Sequence, residues 1–281
     1  MPRSTILVTG ATGLLGPYLL DAAREIGEAQ GLARSGADID CDLADAAAVA
    51  EAIGSAKPSV VIHAAAFTDV DGCERDPERA DLVNHRAVAH ITAALPAASH
   101  LIYVSTDQVY ADVPGPHAEG EEQPVNVYGR SKLAGEGAAR RHPRSTVVRT
   151  NLFGAARSDG RQSLSDFVIR GLRDGRAITL FRDVYFSPLH MRSLSAIITE
   201  MVGRNIFGTL NVGSRAGMSK RDFGHRVAQH LGLSTASAMD GVSSAVPGRA
   251  PRPRDLRLDV RRIEGALGRA MPTCDEEIRR L

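Results

Sequence analysis

Compact apolar runs alternate with longer stretches of helical periodicity along the first 150 residues. Thr5-Ile6-Leu7-Val8, Pro58 to His63, Leu101 to Val104 and Thr146 to Arg149 read as buried strands, and 29–34 and 37–41 as shorter ones. Between them, 14–27, 45–55, 78–97 and a segment opening near Val125–Asn126 read as helices. In 78–97, Ala80, Val83, Ala87 and Ile91 share one face. Strict alternation of strand and helix predicts α/β architecture with a doubly wound parallel sheet. The remainder is less regular. Residues 163–173, 193–202 and 220–231 read as helices, the last capped by Ser219, and 177–180 and 209–212 as strands. Two proline-rich loops stand out: 111–124, placed over a cleft and expected to be flexible, and the arginine-rich 243–254 with Pro247, Pro251 and Pro253. The pattern divides the chain into a sheet domain, 1–150, and a smaller α/β part, 151–281, wrapped onto it and free to cross back to the first sheet.

Chemistry enters at the first strand-to-helix turn, Gly10-Ala11-Thr12-Gly13-Leu14-Leu15-Gly16. A strand that turns sharply into a helix leaves the first helical N–H groups unpaired at the positive end of the dipole, a seat for pyrophosphate. Gly10 permits the turn, Gly13 lets backbone approach phosphate, and Gly16 lets the helix pack close to the strand. Thr12, Leu14 and Leu15 complete the cradle. The competing reading is an ordinary tight βα turn. The second strand ends in Ala33-Arg34-Ser35, with no acid for a ribose 2′-hydroxyl, so Arg34 favours NADPH, with NADH also open; otherwise Arg34 is a solvated loop cation. Asp38 stands at the right sequence distance but is expected to open the third strand. Asp42, beside Leu43, either accepts from an adenine amino group or, like Asp45, caps the next helix. Ala64, Ala65 and Ala66 are small residues at a strand's end and fit a ligand crevice. His63 before them reads as a packed, hydrogen-bonded histidine.

Composition narrows the setting. The chain has 281 residues, 43% hydrophobic and 24% charged, with a net charge of +1, so no broad field draws it to nucleic acid or membrane. No apolar run approaches a membrane span, and residues 1–10 read as strand rather than leader. Cys41, Cys73 and Cys274 are spaced as free thiols of a reducing cytoplasm, and no metal site is expected.

Tyr128 and Lys132 are one helical turn apart and share a face. A nearby ammonium stabilises phenolate and lets tyrosine trade a proton near neutrality. Thr106, following the fifth strand, would orient the same carbonyl oxygen, and Lys132 would also hold the nicotinamide ribose. Such spacing also arises by chance; here it follows a glycine turn and a strand-end threonine in order.

These residues resemble the extended short-chain dehydrogenase/reductase family, with a Rossmann-type sheet, and most of all its dTDP-4-dehydrorhamnose reductase branch. The resemblance runs through Val8 to Gly16, His63 to Asp71 with Val83-Asn84, Val104 to Tyr110, Tyr128 to Glu136, Val148-Arg149-Thr150, Asp183 with Ser187-Pro188, and Arg252-Pro253 with Leu256 and Leu258-Asp259. It implies reduction of a 4-keto group on a nucleotide-activated 6-deoxysugar. Thr106, Tyr128 and Lys132 match the catalytic triad; the expected cofactor side is Gly10, Thr12, Gly13, Leu14, Leu15, Gly16, Arg34, Asp42, Leu43 and Ala64 to Ala66 with Tyr128 and Lys132, and the expected substrate side Thr106, Asp107, Asn151 and Arg252. Arg252 would meet the diphosphate, with Arg249 and Arg254 near it in sequence. Two departures fall on the substrate side: Asn151-Leu152-Phe153 stands where the branch carries an aromatic, often Trp, and Asp183-Val184 where it carries Asp-Gln. The alternatives are another ketone on the same scaffold, or a non-catalytic cofactor-binding regulatory subunit like that of methionine adenosyltransferase. A homodimer is compatible with either.

Overall fold

Successive residues of each central strand enter opposite cores. Ile6, Val8, Val60, Ile62, Ile102, Val104 and Val148 pack into one core, and Leu7, Val61, Leu101, Tyr103 and Val147 into the other. A parallel sheet must be covered this way on both faces. In the computed structural model, which describes residues 4–245 and 248–281, the strands are β1 (Ser4–Thr9), β2 (Gly27–Ala33), β3 (Ile39–Asp40), β4 (Val60–His63), β5 (His100–Val104) and β6 (Ser145–Arg149). Met1–Arg3, at the head of the stretch read as the first strand, and Pro247 of the second proline-rich loop lie outside the described residues. The helices of this half are α1 (Gly16–Ile26), α2 (Ala46–Ala56), α3 (Val70–Arg75), α4 (Pro77–Asp81), α5 (Ala87–Ala94) and α6 (Val127–Ala139).

The sheet runs β6-β5-β4-β1-β2-β3, every pair parallel, and the strand order reverses between β1 and β4. A seventh strand, Gly208–Asn211, extends it beside β6. It comes from the second half of the chain, as does the helix Met191–Gly203, whose Leu194, Ile197, Ile198 and Met201 join the same core as Leu19 and Ala23 of α1. The chain thus crosses back to the first sheet after residue 150. A third core gathers Phe153, Phe186 and Phe223 edge-to-face, with centroids 4.9 and 5.4 Å apart, under the helices Leu164–Arg173 and Lys220–Leu231.

Three expectations change. The strand read at 37–41 shrinks to Ile39–Asp40, because the Asp38 carboxylate accepts the Gly31 N–H at 2.7 Å and bends the chain before it. The helix read at 78–97 is interrupted at Leu82–Arg86 by a wider π-type turn, and ends at Ala94 because Leu95, preceding Pro96, is extended. The loop 111–124 is pinned rather than free. Gly115 N–H donates to Asp255, His117 N–H to the Arg257 carbonyl, and Glu119 accepts the Asn211 N–H at 2.7 Å.

Candidate active site

The glycine turn fills the point where the strand order reverses, which is where open α/β sheets hold ligands. Gly10 has φ +72°, and a Cβ there would lie 2.7 Å from the Ala65 nitrogen, so β1 can pass the end of β4 only with glycine. The roles of the other two shift. Gly13 donates its own N–H to the Gly10 carbonyl at 2.8 Å, closing the turn, so that donor is not free for phosphate. A Cβ on Gly16 would collide with the Ala11 and Gly10 carbonyl oxygens, so its close packing is against the turn itself. Leu15 precedes α1 with no side-chain cap; Pro17 has no N–H and Tyr18 donates to the Leu15 carbonyl at 3.1 Å, so the Gly16 N–H is the first-turn donor left to a ligand or solvent. Ser158, from beyond residue 150, closes the other side by donating to the Gly13 carbonyl at 3.0 Å. Thr12 is exposed and Leu14 half-buried beside it. These features fit a dinucleotide pyrophosphate.

At the end of β2, Arg34 is exposed, while Asp38 is committed to Gly31. Of the two readings of Asp42, the structure uses it locally, accepting the Ala44 N–H at 3.0 Å. Asp45 is the cap of α2, accepting from Ala47 and Ala48. Leu43 is half-buried, and its carbonyl meets the His90 ring at 3.0 Å. At the end of β4, His63 bonds Thr9 at 2.6 Å and stacks on Tyr103, and burial pushes it down to about 3, so it is neutral. Ala64, Ala65 and Ala66 follow it, half-buried.

Thr106 follows β5, capping one turn by accepting the Gln108 N–H, and donates to Asp107 at 3.2 Å. Asn126 caps α6 through the Gly129 N–H, which sets Tyr128 in the first turn, packed with Cys73, Ala80 and Phe67. Burial raises the Tyr128 phenol above its ordinary range, and hydrogen bonding with Thr106 pulls the other way. The expected relief by Lys132 is not seen. The Lys132 Nζ donates to the Val104 carbonyl at 2.8 Å and sits 4.1 Å over the Tyr103 ring, so its charge is spent on β5. Burial pushes that amine down to about 7, with Glu136 opposing. Tyr128 is therefore a firmly protonated phenol.

The π turn carries a residue whose site role sequence reasoning missed. Asn84 accepts the Phe67 N–H at 2.8 Å, donates to the Phe67 carbonyl and to Ser131, and its own carbonyl accepts from Tyr103. It fixes the chain after β4 against α6. Its sequence signals were its place in the resemblance, at Val83-Asn84, and a polar residue within an apolar helical stripe.

On the substrate side, Asn151 donates to Asp107 at 2.6 Å, and burial pushes the Asp107 carboxyl up to about 6. Arg252, expected to meet a diphosphate, already forms a two-pronged pair with Asp71, both contacts 2.9 Å. The neighbouring arginines diverge: Arg249 lies over the Phe181 ring and Arg254 pairs with Asp112. Lys220 was missed. It opens the helix Lys220–Leu231, where burial lowers its amine while Asp107 opposes, and Arg249 and Arg252 add to the lowering. A cation in the first turn runs against the helix dipole, and that mismatch was the available signal. Among the described residues, no group of three or more His, Cys, Asp or Glu side chains is placed to hold a metal, and no helix is long and apolar enough to cross a membrane.

Residues 4–281 match the family model of the RmlD substrate binding domain. The probable low-salt glycan biosynthesis reductase Agl14 of Haloferax volcanii is 32% identical over 284 residues, covering 96% of this chain and 95% of that protein. The dTDP-4-dehydrorhamnose reductase of Mycolicibacterium smegmatis is 34% identical over 266 residues, covering 92% and 78%. The crystal structure of dTDP-4-dehydrorhamnose reductase from Bacillus anthracis, in complex with NADP, superposes with a TM-score of 0.90 at 22% identity, covering 99% of this chain and 98% of that one.

Proposed function

This chain belongs to the RmlD substrate-binding-domain family, within the extended short-chain dehydrogenases/reductases, and from that premise we propose that it reduces a keto group of a nucleotide-activated sugar, with NADPH as reductant. What supports the reading is Thr106 just past β5 with Tyr128 and Lys132 on α6, the Lys132 Nζ reaching the end of β5, and only β4 between β5 and the strand that carries the glycine turn. A 4-keto 6-deoxysugar is the substrate class that fits the family relatives.

The reduced nicotinamide supplies the hydride that goes to the carbonyl carbon. The chain supplies the rest. Tyr128 donates its proton to the carbonyl oxygen as negative charge develops there, and Thr106 orients that oxygen. Burial keeps the phenol protonated until an alkoxide is present to take the proton. Lys132 is placed to hold the ribose and to steady the phenolate left behind. This requires its Nζ to leave the Val104 carbonyl. Gly10, Thr12, Leu14, Leu15 and Gly16 form the pyrophosphate cradle, Ala64 to Ala66 line the crevice, and Arg34 meets the 2′-phosphate. Asp107, Asn151 and Lys220 face the sugar. Arg252 serves the diphosphate only by opening its pair with Asp71.

The test follows NADPH absorbance with a panel of 4-keto nucleotide sugars. Wild type is expected to turn over at least one, and Tyr128→Phe to lose roughly 10²–10⁴-fold in kcat with an unchanged Tm. Equal rates would remove Tyr128 as the proton donor. One observation favours a second reading, a cofactor-holding subunit without turnover: Lys132 is turned to Val104 rather than to the phenol. NADPH binding without turnover of any panel member would select it.

A further inference from the structure

Glu136 lies one helical turn beyond Lys132 on α6 and is fully buried. One carboxylate oxygen accepts from the Ser105 hydroxyl at 2.6 Å and from Arg149 Nε at 2.9 Å. The other accepts from Arg149 Nη2 at 2.6 Å and Arg140 Nη1 at 3.1 Å. Ser105 is the residue before Thr106, so one side chain ties the strand end that carries the threonine to the helix that carries the tyrosine and lysine. Arg149, also fully buried, is completed by Tyr110 at 2.9 Å and by Glu122 of the pinned 111–124 loop. Burying such a pair costs desolvation that apolar side chains of similar volume avoid, so stability alone does not account for it.

The groups around Lys132 show what else it does. From β4, His63 is neutral. From β5, the Tyr103 phenol is raised well above its ordinary value and carries no charge. From α6, Tyr128 is likewise a neutral phenol. Arg149 of β6 is tied to Glu136. Glu136 is the group that supports a charged amine against burial.

We propose that Glu136 is a positioning residue for the reduction: it holds Thr106 in register with Tyr128, and it supplies the negative charge that keeps the Lys132 amine an ammonium. The inference rests on the reductase reading above. An amine needed as ammonium works below its pKa, so weakening its support moves the alkaline fall in function to lower pH.

Glu136→Gln leaves Arg149 with Glu122 as its one carboxylate partner and can unfold the chain, so Glu136→Gln/Arg149→Met, which removes both members, is the second variant. Tm, NADPH affinity by fluorescence titration and ketoreduction are measured from pH 5.5 to 9. Glu136→Gln removes the anion alone, and its alkaline midpoint for both NADPH affinity and rate is expected about one pH unit below wild type, with a deficit of about tenfold at pH 8 that fades toward pH 5.5. The double variant removes a cation with the anion and is expected to be folded, with a smaller shift of the same sign. A folded variant with an unmoved midpoint, whatever its overall rate, overturns the inference. A wild type that binds no NADPH at any pH overturns the reductase reading and this inference with it.

Discussion

The two sides of the proposed site are built by different means. The glycine-turn wall is backbone against backbone: β1 passes β4 at Gly10, Gly13 closes the turn on Gly10, and α1 packs on the turn at Gly16. The opposite wall is side chain against side chain. Arg252 grips Asp71, Arg254 grips Asp112, and Asn151 grips Asp107, across separations of 181, 142 and 44 residues. A backbone wall has no slack, since a carbonyl cannot rotate out of the way as a side chain can. Of the side-chain contacts, the two part-exposed arginine pairs can open and re-pair around a ligand at small cost. That difference would suit the proposed pairing of a fixed cofactor with a variable sugar.

The sharpest way to break this comparison is to add one methyl to the rigid wall. The Cβ of Gly16→Ala collides with two backbone oxygens. Overpacking of this kind costs about 1–3 kcal/mol. A fall in Tm and at least a tenfold loss of NADPH affinity are expected, read by thermal melt and titration. Wild-type values for both would mean that the turn yields as easily as the opposite wall. A milder probe is Arg34→Asp at the exposed end of β2. NADPH Kd is expected to rise about tenfold, worth about 1.4 kcal/mol, with NADH affinity and Tm unchanged. Parallel losses for both cofactors would make Arg34 a general support of the wall rather than a reader of the 2′-phosphate.

The same difference explains what the sequence made legible. The apolar runs that predicted the strands, and their alternation with helical stretches, are local signals, and in the central strands successive residues of those runs serve both cores. Caps are local too: Asn126, Ser163, Ser219 and Asp45 each serve N–H groups two or three residues on. The π turn at Leu82–Arg86 escaped because one extra residue in a helix leaves its apolar period almost intact. The partners of Arg252 and Lys132 escaped for a different reason. Asp71 is one of many carboxylates a strap arginine could meet, and the Val104 carbonyl leaves no mark in the sequence at all. The spacing of Tyr128 and Lys132 is helical and easily seen; where the Nζ points is set by the Val104 carbonyl and the Tyr103 ring of β5, distant from it in sequence.

The smallest effect, and the one that separates the walls most cleanly, belongs to Asp71. The Arg252 guanidinium beside it draws its carboxyl down to about 2. A carboxyl lowered in the folded state adds stability above its unfolded value near 4, and loses it as pH falls through about 2. The pair is partly solvated, so its contribution is under about 1 kcal/mol. Asp71→Asn is therefore expected to lower the urea midpoint slightly and by a constant amount from pH 7 to 5, with the gap to wild type narrowing below about pH 4. NADPH affinity should not move, because the pair stands on the other wall. The KM for the sugar nucleotide should fall if Arg252, once released, is free to take the diphosphate, and rise if the pair instead shapes the pocket that the sugar enters. A change in NADPH affinity as large as that of Gly16→Ala would show that the two walls are one mechanical unit, and the division of labour between backbone and side chains would have to be abandoned.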